Sequence, residues 1–315
     1  MDIASHIKRV ARGKHGSEHL MQAEAESVFA ALLQPDADAL QLGAFLIAQR
    51  MKGETSPELA GFVEAARSRI AGFGQSKAAA GAVDLPCYAG KRRAPHTYLA
   101  AAMQARDGGV PVCVHGVEHI DGRITAWQVL QGAGVQRAAS LAEAEAILRH
   151  ENIVYVDLAE LCPDLYRVYM FRQKLGVRTF TNTVARLLNP LQCDGQLNGF
   201  FHTPYADYMA AANRLLGQPR SLVFMGAEGE PELYADRQKL VLKQQGNTVC
   251  RISYPQAGLD AYPREGMDLN LLEHRFSAML EGKLSQRETV VMARMGEAFA
   301  WASTAACPDI WKMEE

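Results

Sequence analysis

The sequence predicts an α/β protein in which a large domain with a mostly parallel sheet is joined to a small, discontinuous helical domain. Three observations carry that prediction. As far as Phe73 the apolar residues recur at helical spacing, beyond it short β-prone runs alternate with helical stretches, and over residues 164–188 a basic helical segment interrupts the alternation. That segment can return to the first helices. The helical domain is therefore expected over residues 1–74 with 164–190 returning to it, and the α/β domain over 75–163 and 191–315. A chain of 315 residues exceeds one typical core and falls short of three.

In the first segment Val28, Leu32 and Leu33, then Leu42, Phe45 and Leu46, fall on helical faces. Thr55 and Glu58 form a capping box with Pro57 in the first turn, starting a helix that runs towards Ile70 and ends at Gly72 and Gly74. Strands are expected over residues 82–88, 110–115, 153–158, 222–225 and 248–253, with helices over 97–105, 125–131 and 141–150 between them. Such a sheet has its ligand crevice at the carboxyl ends of its strands, so sites should follow Tyr88, His115 and Met225. The Leu175 to Thr179 stretch breaks the interrupting segment into two helices.

Composition narrows the function. With 48% hydrophobic and 22% charged residues the chain can bury a real core. Its 33 basic and 35 acidic residues give a formal charge of -2, which excludes bulk basicity as a route to nucleic acid; polyanions would need local patches. The six cysteines, Cys87, Cys113, Cys162, Cys193, Cys250 and Cys307, are scattered without zinc-type spacing, so they read as reduced thiols and no metal site is expected from them. No signal-like or membrane-spanning apolar run occurs, so a cytoplasmic protein without membrane contact is expected.

Several short stretches carry a family resemblance: Leu42-Gly43-Ala44-Phe45-Leu46; Met51-Lys52-Gly53-Glu54-Thr55 followed by Glu58-Leu59-Ala60-Gly61; Val114-His115-Gly116; and Leu175-Gly176-Val177-Arg178-Thr179 with Asn182 and Leu188-Asn189-Pro190. Together they resemble anthranilate phosphoribosyltransferase and its relatives in glycosyltransferase family 3, over nearly the whole chain. The resemblance implies a helical domain used for dimerisation and an α/β domain that in the enzymes binds phosphoribosyl pyrophosphate and magnesium. It also implies three departures. The enzymes' Gly-Thr-Gly-Gly-Asp loop corresponds here to Tyr88-Ala89-Gly90-Lys91-Arg92-Arg93, their Lys-His-Gly-Asn to Val114-His115-Gly116-Val117, and their magnesium-binding Asp-Glu pair to Pro231-Glu232. Proline offers no side-chain ligand. The chain is most similar to the YbiB-type nucleic-acid-binding branch, which keeps the fold and the dimer but carries basic residues in the donor loop.

Three basic collections are therefore the candidate nucleic-acid contacts. Lys91, Arg92 and Arg93 precede a helix start, where added cations are unfavourable unless an anion joins them, and the turn is expected to be exposed. Arg172, Lys174 and Arg178 form the second; Arg172 matches the arginine that faces the anthranilate pocket in the enzymes, and Arg178 is either a contact or structural. The third is Lys8, Arg9, Arg12, Lys14 and His15, with Lys8 and Arg12 on one helix face, which reads equally well as a solvated surface. Tyr88, His96 and Tyr98 flank the first collection and offer stacking platforms.

The expected function is a non-catalytic, sequence-tolerant nucleic-acid-binding homodimer that contacts DNA or RNA through phosphates, single strands included, and needs no cofactor. The alternative is a phosphoribosyltransferase of altered specificity using Gly90, Arg92 or Arg93, His115, Gly116 and Glu232 with magnesium. A scaffold that uses only the helical dimer surface is the third reading. No serine or cysteine nucleophile with an orienting carboxylate is recognisable, and His115 reads more readily as a hydrogen-bonded structural residue. The alternating Glu228, Glu230 and Glu232 read as a wet turn or a weak cation site.

Overall fold

A computed structural model describes residues 2–13, 15–201, 205–307 and 311–313. Lys14 lies outside the described residues. The sheet has nine strands: β1 (Val83–Cys87), β2 (Val112–Gly116), β3 (Arg137–Ala138), β4 (Ile153–Asp157), β5 (Gly195–Phe200), β6 (Arg220–Met225), β7 (Val241–Gln245), β8 (Thr248–Ser253) and β9 (Lys312–Met313), in the order β3-β4-β2-β1-β5-β6-β7-β8-β9. From β3 to β6 all pairs are parallel, and β7 to β9 add an antiparallel edge. The predicted fold class is the observed one.

β1 and β2 are buried along their whole length, which explains their short apolar runs. β5 was not foreseen. Its sequence, Gly-Gln-Leu-Asn-Gly-Phe, has no apolar run, yet all six residues are buried beside β1 and β6. The two glycines explain why. A Cβ on Gly195 would stand 2.3 Å from the Ala302 carbonyl oxygen, and one on Gly199 would stand 2.6 Å from the Glu230 backbone. Close approach there seats the helix Gln286–Thr304 at the start of the strand and an acidic turn, residues 226–232, towards its end.

The amino-terminal helices pack around four phenylalanines. Phe62 stacks on Phe180 at 4.2 Å between centroids, and Phe29 and Phe45 meet both rings edge-on. Phe180 thus ties the segment after Asp164 to the first helices. The helix Ser56–Arg67 opens with the predicted capping box: Glu58 N donates to Thr55 Oγ1 at 3.4 Å and Thr55 N to Glu58 Oε2 at 2.9 Å.

Candidate anion cradle and arginine cavity

The turn after β1 and the acidic turn after β6 meet at the carboxyl ends of the central strands, where parallel topology puts the crevice. Each backbone amide of the first turn donates to a carboxylate of the second, Lys91 excepted. Ala89 N reaches Glu230 Oε1 at 2.9 Å, and Gly90 N donates to the same oxygen. Arg92 N and Arg93 N donate to Glu228 at 3.1 and 3.0 Å, and the Tyr262 hydroxyl adds a third bond at 3.0 Å. Glu232 accepts from Tyr98 N at 3.1 Å, in the first turn of the helix Thr97–Asp107, and pairs with the Lys91 ammonium. An amide-lined turn followed by a helix start is an anion cradle. Here the protein's own carboxylates fill it.

These contacts overturn two expectations. The glutamates are not a wet turn: all three are buried, and Glu228 holds a left-handed backbone with φ 58° to place its carboxylate. Nor is the basic turn uniformly exposed. Lys91 is 0% exposed, locked between Glu232 and the Pro95 carbonyl oxygen at 2.7 Å, so it faces inward and cannot meet a polymer phosphate. Its peptide pairs with Ile124, N to O at 2.8 Å in both directions, which fixes the inward direction. Arg92 alone is exposed; Arg93 lies partly covered beside Glu228 and over the Tyr262 ring.

Burial raises the Glu230 and Glu232 carboxyls above their usual range, opposed at Glu230 by Arg186 and the two amides and at Glu232 by Lys91. The stacking platforms fail for the same reason: Tyr88, His96 and Tyr98 are all buried. Burial, with the Lys91 charge second, pushes His96 down to about 3, so its ring is neutral while Nε2 bonds the Ile124 carbonyl at 3.0 Å. His115 is also interior, with Nδ1 2.8 Å from the Tyr88 hydroxyl and Nε2 3.3 Å from Asp84 Oδ2. Both of its ring nitrogens therefore face protein partners. Gly116 is required where β2 passes β1, since a Cβ would stand 2.3 Å from the Cys87 carbonyl oxygen.

The second basic collection stands differently. Arg172, Lys174 and Arg178 form no ion pair among the described residues. Arg172 lies over the Tyr169 ring with Nη1 buried and unbonded, and Lys174 lies over Phe171. Arg178 shares a cavity of about 680 Å³ with Arg50 and Arg186. Arg50 Nη1 donates to the Arg178 carbonyl at 2.6 Å, while Arg186 donates to the Asn182 carbonyl at 2.7 Å and the Gly229 carbonyl at 3.4 Å. Desolvation, then the charges of Arg186, Arg172 and Arg123, hold Arg178 below its usual value.

Arg50 and Arg186 were missed. A lone arginine inside the apolar run Val184-Ala185-Arg186-Leu187-Leu188 was the available signal, because such a residue must face a cavity or a partner. In the third collection Arg12 pairs with Glu18 at 2.8 Å and Arg9 with Glu18 and Glu24, leaving Lys8 exposed with no carboxylate partner among the described residues. A second cavity, lined by Val10, Ser17 and His19, meets the arginine cavity at Met51, so the two basic regions are neighbours.

The chain matches the helical bundle domain of the glycosyl transferase family over residues 4–70 and its a/b domain over residues 96–307. It is 32% identical to an uncharacterized protein of Aquifex aeolicus, over 96% of this chain and 91% of that protein. YbiB of Escherichia coli is 28% identical over 84% of this chain and 83% of its own length. An anthranilate phosphoribosyltransferase of Desulfitobacterium hafniense is 29% identical over 87% and 83%. Among solved structures, anthranilate phosphoribosyltransferase from Thermus thermophilus has a TM-score of 0.79 at 23% identity, covering 97% of this chain and 90% of that one. The Saccharomyces cerevisiae enzyme in complex with PRPP and Mg has a TM-score of 0.72 at 13% identity, covering 96% and 89%. These two likenesses show the shared fold.

Proposed function

The chain belongs to glycosyltransferase family 3, and we propose that it uses the fold as a non-catalytic, sequence-tolerant nucleic-acid-binding protein. The observation that carries this reading is the filled cradle. In the turn that would wrap a diphosphate the amides of Ala89, Gly90, Arg92 and Arg93 already serve Glu230 or Glu228 and that of Lys91 serves the Ile124 carbonyl, and the charge-assisted bonds contribute about 1.5–3 kcal/mol apiece. The residues present do not fit phosphoribosyl pyrophosphate with magnesium. Pro231 has no ligand atom, and the remaining carboxylate, Glu232, is neutralised by Lys91. The Lys91 ammonium supplies beside Glu232 the positive charge that a metal would bring.

Cations with no acidic partner among the described residues support a polyanion instead: Arg50, Arg178 and Arg186 share a cavity, Arg172 lies close enough to Arg178 to act on it, and Lys174, Arg92 and Lys8 are exposed. Binding is expected to fall steeply with salt, each single-strand phosphate contact contributing a slope of about -0.7. The experiment is a salt titration of single-stranded and duplex oligonucleotides against wild type and an Arg172→Ala/Lys174→Ala/Arg178→Ala variant. The variant should bind every sequence more weakly with a flatter slope; an unchanged isotherm refutes the assignment of these residues.

We further propose a homodimer. Leu40, Ala44, Ile47 and Met51 form an apolar stripe along the helix Ala39–Lys52, with Leu40 82% and Met51 80% exposed. Sedimentation equilibrium should give twice the chain mass for wild type and a monomer for Leu40→Asp; a monomeric wild type refutes it. The relatives named anthranilate phosphoribosyltransferase favour a second reading, transferase activity. It requires the cradle to empty, and turnover with phosphoribosyl pyrophosphate, magnesium and anthranilate that Glu232→Ala abolishes would establish it.

A further inference from the structure

We propose that the arginine cavity receives one unstacked nucleotide of a bound single strand, its phosphate held by Arg50 and Arg178 and its base seated between Asn182 and the aromatic wall. The proposal rests on the nucleic-acid reading and deepens it. At about 680 Å³ the cavity lies within the roughly 300–1,000 Å³ range of small-molecule sites. Its chemistry is two-sided. Arg50, Arg178 and Arg186 line it together with Phe200, Phe201, Tyr205 and Met209, and no carboxylate is among its described lining residues.

Two buried groups show that the cavity is built for a polar guest. Asn182 is 7% exposed, and its amide nitrogen has no hydrogen-bond partner among the described residues. A donor left in that state is unfavourable until an acceptor arrives. Arg186 is 8% exposed and bonds only carbonyl oxygens, so its charge is unneutralised at hydrogen-bond range. A simple anion would answer the arginines but leave the Asn182 amide unmet. An apolar guest would leave both polar groups unmet. A nucleotide uses all of them: phosphate oxygens for the guanidinium forks, a base carbonyl or ring nitrogen for Asn182, and a π-face for Phe201, which is 49% exposed.

Arg50 is fixed for this task by its bond to the Arg178 carbonyl, so ordering it on binding sacrifices little side-chain freedom. Duplex DNA keeps its bases stacked and cannot enter. The cavity should therefore discriminate strand state, and the surrounding cations should not.

The experiment compares Phe201→Ala and Asn182→Ala with wild type on a single-stranded oligonucleotide carrying one 2-aminopurine and on a duplex of equal length, at fixed salt. Each variant is expected to weaken single-strand binding by about 5- to 100-fold, the range that loss of one base-stacking contact implies. Duplex affinity and the salt slope should be unchanged, and the 2-aminopurine fluorescence change on binding should be lost. Circular dichroism and the unchanged duplex isotherm report that each variant is folded. Equal losses on both strands, or none on either, overturn the cavity assignment while the nucleic-acid reading stands. A wild type that retains neither strand at low salt overturns both.

Discussion

A lysine ammonium held wholly out of water needs a partner as well placed as Glu232 is beside Lys91. Truncating Lys91 to alanine would strand Glu232, whose carboxyl burial already raises, and the expected loss is about 3–5 kcal/mol of stability by urea unfolding. Lys91→Met combined with Glu232→Leu should recover most of it, and Arg92→Ala should change stability by no more than about 0.5 kcal/mol. A Lys91→Ala protein as stable as wild type would refute the buried pair. Three adjacent basic letters read as one patch because nothing local says which of them turns inward. That direction is set by Glu232, 141 residues away, and by the bridge to Ile124. For the same reason the sequence could not separate Tyr88, His96 and Tyr98 from true platforms, whereas Arg172, Lys174 and Arg178 read there as a basic collection and pair with no acid among the described residues.

At the scale of elements, Glu58 does more than close a capping box. Its carboxylate accepts from Leu20 N at 3.0 Å, Thr55 N at 2.9 Å and Lys52 Nζ at 2.8 Å, joining the loop before one helix to the ends of two others. That contact set is the physical content of the Met51-Lys52-Gly53-Glu54-Thr55 and Glu58 motif. Burial pushes Glu58 up, but the bonds from Leu20, Lys52 and Thr55 outweigh it, and its carboxyl lies below the ordinary 4.5. A carboxylate depressed on folding contributes stability above its ordinary value and loses it as pH falls through the lower folded value. Unfolding free energy should therefore drop as pH is taken below 4.5, and Glu58→Gln should flatten that limb while lowering stability at pH 7. An acid limb identical in wild type and variant would contradict this role. Helices with caps and strands with apolar runs were readable for such local reasons. β5 was not, because its glycines answer to Ala302 and Glu230, which lie far along the chain.

Across the whole molecule, composition understates the basic character of the surface. The formal charge of -2 counts Glu58, Glu228, Glu230 and Glu232 as if they faced water, although all four are buried against amides or cations. The cations of the crevice are correspondingly less balanced than the count suggests. Among the described residues no helix is long and apolar enough to cross a membrane. The family fold is kept, and in this chain the turn after β1 is closed by the acidic turn opposite it. Calorimetric titration of the purified protein with phosphoribosyl pyrophosphate and magnesium tests that closure most directly. The filled cradle predicts no saturable heat with wild type; saturable, magnesium-dependent binding that Glu232→Ala removes would contradict it.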